Sequence, residues 1–181
     1  MPMRILPFLL LAVLLLPTGA TAQVETVPAP DARPSPMRLA ATTIGDAYVK
    51  VMYSAPEKRG RAIFGGLVPF DQVWRTGANE ATEILFTSPV VVAGTPVAAG
   101  VYSVFTIPGE SEWTIILNST LGQWGAFSHD PETDAYRIQV PARVVNTDHE
   151  AFTMSLTEGE TETEWVLNWE RTEVRIPITL P

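Results

Sequence analysis

The densest set of chemistry-bearing side chains lies in Trp74-Arg75-Thr76-Gly77-Ala78-Asn79-Glu80-Ala81-Thr82, just before the apolar run Ile84-Leu85-Phe86. Arg75 carries a planar fork of five donors matched to a carboxylate or phosphate. Asn79 both donates and accepts, ionised Glu80 only accepts, and Thr82 offers a hydroxyl. Gly77 opens backbone conformations closed to other residues, so these groups can converge after a sharp turn. Lys58, Arg59 and Arg61 lie shortly upstream. The window from Glu57 to Gly77 holds four basic residues against Glu57 and Asp71, a net +2 inside an acidic chain. Such an island suits a small polar or anionic ligand or a glycan, and Trp74 with Trp113 or Trp124 would supply a flat platform for a sugar ring. The competing reading is structural: an Arg75–Glu80 pair that satisfies itself and locks a long loop, with Asn79 and Thr82 capping the turn. A third reading makes Glu80 the acid–base group of a hydrolase, with Arg75 as its electrostatic partner.

Other chemistries find little support in the residue patterns. The chain has no Gly-x-Ser-x-Gly elbow, phosphate-cradling glycine loop or His-Glu-x-x-His. Ser128-His129-Asp130 has the letters of a triad, but consecutive residues do not converge as a triad must. Two histidines and no cysteine argue against a structural zinc site. Asp130, Glu132 and Asp134 mimic the start of a calcium loop, yet Ala135 and Pro141 stand where that loop needs glycine and glutamate. No metal and no cofactor is therefore expected.

These side chains must be held by strands. Phe152, Met154 and Leu156 alternate with Thr153, Ser155 and Thr157, and Tyr136, Ile138 and Val140 do the same with their polar neighbours. Trp165, Leu167 and Trp169 share one face of another run, and Trp113, Ile115 and Leu117 share one face of a fourth. A period of two means one face buried and one facing outward. Turn residues such as Gly45-Asp46, Gly94, Pro108-Gly109 and Gly159 divide the runs. The pattern predicts an all-β domain of about ten short strands, an antiparallel β-sandwich or jelly roll. Ser54 to Ala81 interrupts it as a long loop too apolar for disorder, so it must dock on the scaffold, with a short helical turn expected around Asp71–Trp74. Long ordered loops on a rigid β-scaffold are common places for binding sites.

The N-terminal region reads as an export leader. Arg4 is the only charge before the apolar run Ile5–Leu16, and Ala20-Thr21-Ala22 is a cleavage signature before Gln23. Residues 1–22 are thus expected to be a signal peptide, too short in its apolar core to span a membrane. Residues 23–36, with Pro28, Pro30, Pro34 and Pro36, read as a linker, and residues 37–181 as the folded domain. Without the leader the chain has 11 basic and 20 acidic residues, which argues against nucleic acid or an anionic membrane surface as partner. The expectation is an exported, periplasmic domain, stabilised by packing because it has no disulfides.

The strings KRGRAIFGGLVPFDQVWRTGANEATEILF, AGVYSVFTIPGESEWTIILN and QWGAFSHDPETDAYRIQV, with the closing Trp-rich strand, resemble the bacterial "domain of unknown function 2911" family from about Met37 to Ile178. The resemblance implies an exported β-rich domain. It brings no activity and no catalytic residue.

Overall fold

The computed structural model describes residues 33–181, so the expected leader and linker residues 23–32 lie outside the described residues. Alternating side chains and glycine turns produce nine antiparallel strands: β1 (Met37–Ile44), β2 (Ala47–Ser54), β3 (Thr82–Phe86), β4 (Val90–Val92), β5 (Thr95–Val97), β6 (Gly100–Pro108), β7 (Glu112–Asn118), β8 (Asp134–Leu156) and β9 (Glu162–Thr179). They form one open sheet in the order β1-β2-β3-β6-β7-β8-β9-β4-β5. The expected all-β antiparallel class holds.

The strands are fewer and two are far longer than the expected short ones, because β8 serves two neighbours. Its first part pairs with β7 as far as Glu112 opposite Pro141, and from Ala142 onward it pairs with β9. Pro141, which has no amide hydrogen to give a ladder, sits where the strand changes partner. Register shifts between Val144 and Thr153 bend it further. The sheet consequently turns over on itself. Tyr53 on β2 meets Phe152 on β8 edge-on at 5.8 Å, and its hydroxyl accepts from the Met154 amide at 2.9 Å. Two layers thus enclose one core, an arrangement compatible with the expected sandwich.

That core is strongly aromatic. Trp113, Trp165, Trp169, Phe86 and Phe152 are fully buried in it, while Phe105 packs with Ala81 and Ile116 in a smaller cluster. Trp74 from the long loop lies 5.9 Å from Trp169 in a stacked arrangement, and both touch Phe64 edge-on. Such ring pairs contribute about 0.5–1.5 kcal/mol each beyond the burial of their area. They are what fastens the loop.

The loop between β2 and β3 docks as expected, but without the helical turn expected around Asp71–Trp74. β3 is short, and its pairing with β6 stops at Thr82 opposite Val104. The rest of that β6 edge is open to the loop, whose Trp74 exchanges both backbone bonds with Thr106 at 2.8 Å while the Asp71 amide donates to the Pro108 carbonyl. Those bonds tie Asp71 and Trp74 to the sheet edge, so the segment cannot coil into a helix. Among the described residues the one helical element is a 3-10 turn, Pro131–Thr133. None is long and apolar enough to cross a membrane.

The last residues of the expected linker belong to the folded unit. The Pro36 carbonyl accepts from the Ala55 amide at 2.9 Å, the Ser35 carbonyl from Asn79 Nδ2 at 3.2 Å, and the Pro34 carbonyl from Arg59 Nη2 at 3.2 Å. Residues 33–36 form a strap across the long loop.

Candidate functional site

The turn that carries the candidate residues is conformationally unusual. Of the six non-glycine residues with positive φ among those described, Arg59, Asp71, Thr76 and Asn79 fall in this loop. A β-branched residue at φ 53°, as Thr76 is, is an outlier that its surroundings must impose. They do so with hydrogen bonds: Thr76 Oγ1 donates to the Trp74 carbonyl and hydrogen-bonds with Thr106 Oγ1, 3.2 Å away, and the Thr76 carbonyl accepts from Thr82 Oγ1 at 2.7 Å. Gly77 follows at φ 154°, where a Cβ would stand 2.9 Å from the Ser54 carbonyl oxygen. Backbone strain of this kind costs about 1–3 kcal/mol per residue and tends to gather at functional sites.

The strained turn sends Arg75 and Glu80 to different places, and the expected Arg75–Glu80 pair does not form. Arg33 Nη1 bridges both Glu80 oxygens at 2.6 and 2.7 Å. Hydrogen bonding from Arg33 holds the Glu80 carboxyl below its ordinary value, against a smaller opposing effect of burial. A carboxylate kept ionised in this way is a poor general acid, so the acid–base reading loses its central group. Glu80 also lies beside a shallow groove with Met37, Tyr53 and Glu83, apart from Arg75. Trp124 is largely exposed with the Arg33 guanidinium 5.7 Å from its ring centroid. It therefore covers the strap. Asn79 joins strap to loop through Ser35 and Ser54, and Thr82 is buried in its bond to Thr76. Lys58 turns to Asp148, whose hydrogen bond raises its pKa.

What remains is a cleft of about 320 Å³ that brings together Arg59, Arg61, Arg75 and Trp74 from the expected set. It sits at the lower end of the volumes usual for small-molecule sites, about 300–1,000 Å³. Strap residues Pro34 and Ser35 form one wall, and Trp169 of β9 contributes to the lining. Arg75 is half-buried, and its Nε is fully shielded with no hydrogen-bond partner among the described residues. Burial pulls its pKa down, and no carboxylate among the described residues offsets the cost. Glu57 is the one acid in the lining, and its Oε2 is engaged by Arg59 Nε at 3.4 Å. Arg61 is aimed by backbone carbonyls: Nε donates to Lys58 and Nη2 to Glu57 at 2.9 and 2.7 Å. The cleft is therefore cationic, with donors left over.

The chain matches the family described as "protein of unknown function (DUF2911)" over residues 35–178. It belongs to the DUF2911 family. The matched span covers all nine strands of this DUF2911 domain apart from the last residue of β9, and it covers the cleft-forming loop. No curated protein and no solved structure matches the chain.

Three participants were not singled out from the sequence: Arg33, the strap backbone at Pro34–Ser35, and Trp169. Arg33 had a faint signal, as the single basic residue in the proline-rich stretch 23–36. A second polar cluster was hidden as well. His129 Nε2 is 2.8 Å from Asp134 Oδ1, which also accepts from Asn118 Nδ2 at 2.8 Å, while Asp134 Oδ2 accepts from Arg137 Nη1 at 2.6 Å. Asp130 Oδ1 accepts from the Glu132 amide and caps the 3-10 turn. Neither acid is presented for a triad or a calcium loop, and no group of three metal-binding side chains occurs among the described residues.

Proposed function

We propose that this DUF2911 domain is an exported binding module whose cleft at Arg75 takes a small anionic ligand. One observation carries the reading: a half-buried guanidinium with a shielded, unpartnered Nε faces an open cleft that two further arginines line. An unpaired buried donor costs about 1–3 kcal/mol, more when charged. A chain retains such a cost where a ligand supplies the missing acceptor. The leader-like residues 1–22 support export, and recovery of the protein outside the cytoplasm with Gln23 as its first residue is the expected result of terminal mass spectrometry.

A thermal-shift panel tests the binding. Carboxylates, phosphates and sulfate are expected to raise the unfolding temperature logarithmically with concentration above the dissociation constant, while neutral sugars do not. At 100 times the dissociation constant the gain is about 2.7 kcal/mol, several degrees for a domain of this size. Arg75→Met is expected to abolish the response. If no anion stabilises the domain, or the variant responds as the wild type does, the anion-binding reading is wrong.

A further inference from the structure

Resting on the anion-binding reading, the lining of the same cleft points further, and we infer that its ligand is an amphipathic organic anion: a carboxylate or phosphate head on an apolar body, as opposed to a sugar. The cations and most of the apolar lining come from the same loop. Beside Arg59, Arg61 and Arg75 it supplies Pro56, Leu67, Val68 and Trp74, and Pro34 of the strap and Trp169 of β9 complete the apolar lining. Leu67 is 47% exposed, an apolar side chain left in water at the cleft. Trp74 and Trp169 are closely stacked on each other, and each indole N–H is already bonded, to the Gly77 carbonyl at 3.1 Å and to the Glu150 carbonyl at 3.2 Å. Nearly buried, they form the floor of the cleft and give a ligand no polar handle, while Leu67 and Pro34 are the apolar side chains of the lining that stand exposed.

Recognition of a polyhydroxyl body needs side chains that donate and accept at several positions. The cleft has few. Glu57 is engaged by Arg59, and the Ser35 carbonyl is occupied by Asn79. Most of the free capacity that remains is donor capacity on the three guanidinium groups, beside the Ser35 hydroxyl and one Glu57 oxygen, and it matches an anionic oxygen pair. An apolar body would instead cover Leu67 and Pro34, gaining about fourfold in affinity for each methylene fully buried.

Calorimetric titration of the full chain with two probe series tests this. Acetate and hexanoate share one head, inorganic phosphate and hexyl phosphate the other. Hexanol, hexylamine and glucuronate serve as neutral, cationic and polyhydroxyl controls. Hexanoate is expected to bind at least tenfold more tightly than acetate, or hexyl phosphate than phosphate, and the stronger series identifies the head. Hexanol and hexylamine are expected to bind far more weakly, and Arg75→Met to remove binding of the favoured probe without lowering the unfolding temperature. Leu67→Ser is expected to shrink the gain from the chain while acetate or phosphate binding stays. If the short anions bind and the chain adds nothing, or glucuronate binds better than hexanoate, the amphipathic assignment falls and the anion site stands. If no anion binds, or all bind the Arg75→Met variant equally, both fall together.

Discussion

Two regions of this domain bury ionic side chains and treat them in opposite ways. Around Asp134 the charges are matched: His129, Arg137 and Asn118 converge on one carboxylate whose side chain is 2% exposed. Around Arg75 nothing in the described protein answers the charge, and a cleft opens beside it. The first is a closed network, which fixes β7 and β8 to the turn between them. The second is an open valence. Polar groups that hold a fold together satisfy one another, and those left unsatisfied beside a cavity mark where something else binds.

The sharpest way to break the contrast is to open the closed site. Asp134→Ala leaves the buried His129 ring and Arg137 without their carboxylate, while the Asn118 amide keeps Asp130 and Thr133, and is expected to cost about 3 kcal/mol, a fall of roughly 6–12 °C in a melt. An unchanged melting temperature would show the cluster to be incidental. Next in size is the turn. Gly77→Ala must hold φ 154° and bring a methyl group against the Ser54 carbonyl, at about 2 kcal/mol by denaturant titration.

Arg75→Met runs the other way. Removing an unpaired, desolvated cation is expected to leave stability unchanged or raise it by about 1 kcal/mol, while anion affinity falls at least tenfold. A loss of several kcal/mol would mean that Arg75 is structural after all. The smallest effect belongs to the strap. Glu80 has a depressed pKa when folded, so its pair with Arg33 contributes above the unfolded carboxyl pKa and is lost as pH falls through the folded one. The side chain is 40% exposed, so the contribution is under about 1 kcal/mol. Glu80→Gln is expected to flatten that acid-side dependence and to speed protease cleavage near Arg33 at neutral pH. A variant cleaved no faster than the wild type would detach Glu80 from the strap.

Much of the fold was legible because strand burial writes itself as a period of two. Phe152, Met154 and Ile138 point inward as their alternation requires, and the long loop was recognisable as a docked segment. The loop's pairing with the sheet edge was not, because it depends on β3 ending early and leaving an edge of β6 to be filled. The doubled role of β8 was hidden too, since no local pattern records a change of partner at Pro141. In the site, Arg59, Arg61, Arg75 and Trp74 were identified as residues, but their partners were not. Proximity in sequence suggested Arg75 with Glu80. The left-handed turn at Thr76, Gly77 and Asn79 separates them, and Glu80 takes a partner 47 positions away.

The stacking of Trp74 on Trp169, 5.9 Å apart and 19° from coplanar, has an optical consequence. Two indoles so close and so nearly parallel share their electronic excitation, which gives a paired signature in circular dichroism and makes their emission sensitive to any change in spacing or solvent contact. Both rings line the cleft. The domain therefore carries a built-in spectroscopic gauge at the very place where occupancy is in question, and binding is readable from intrinsic light without a label.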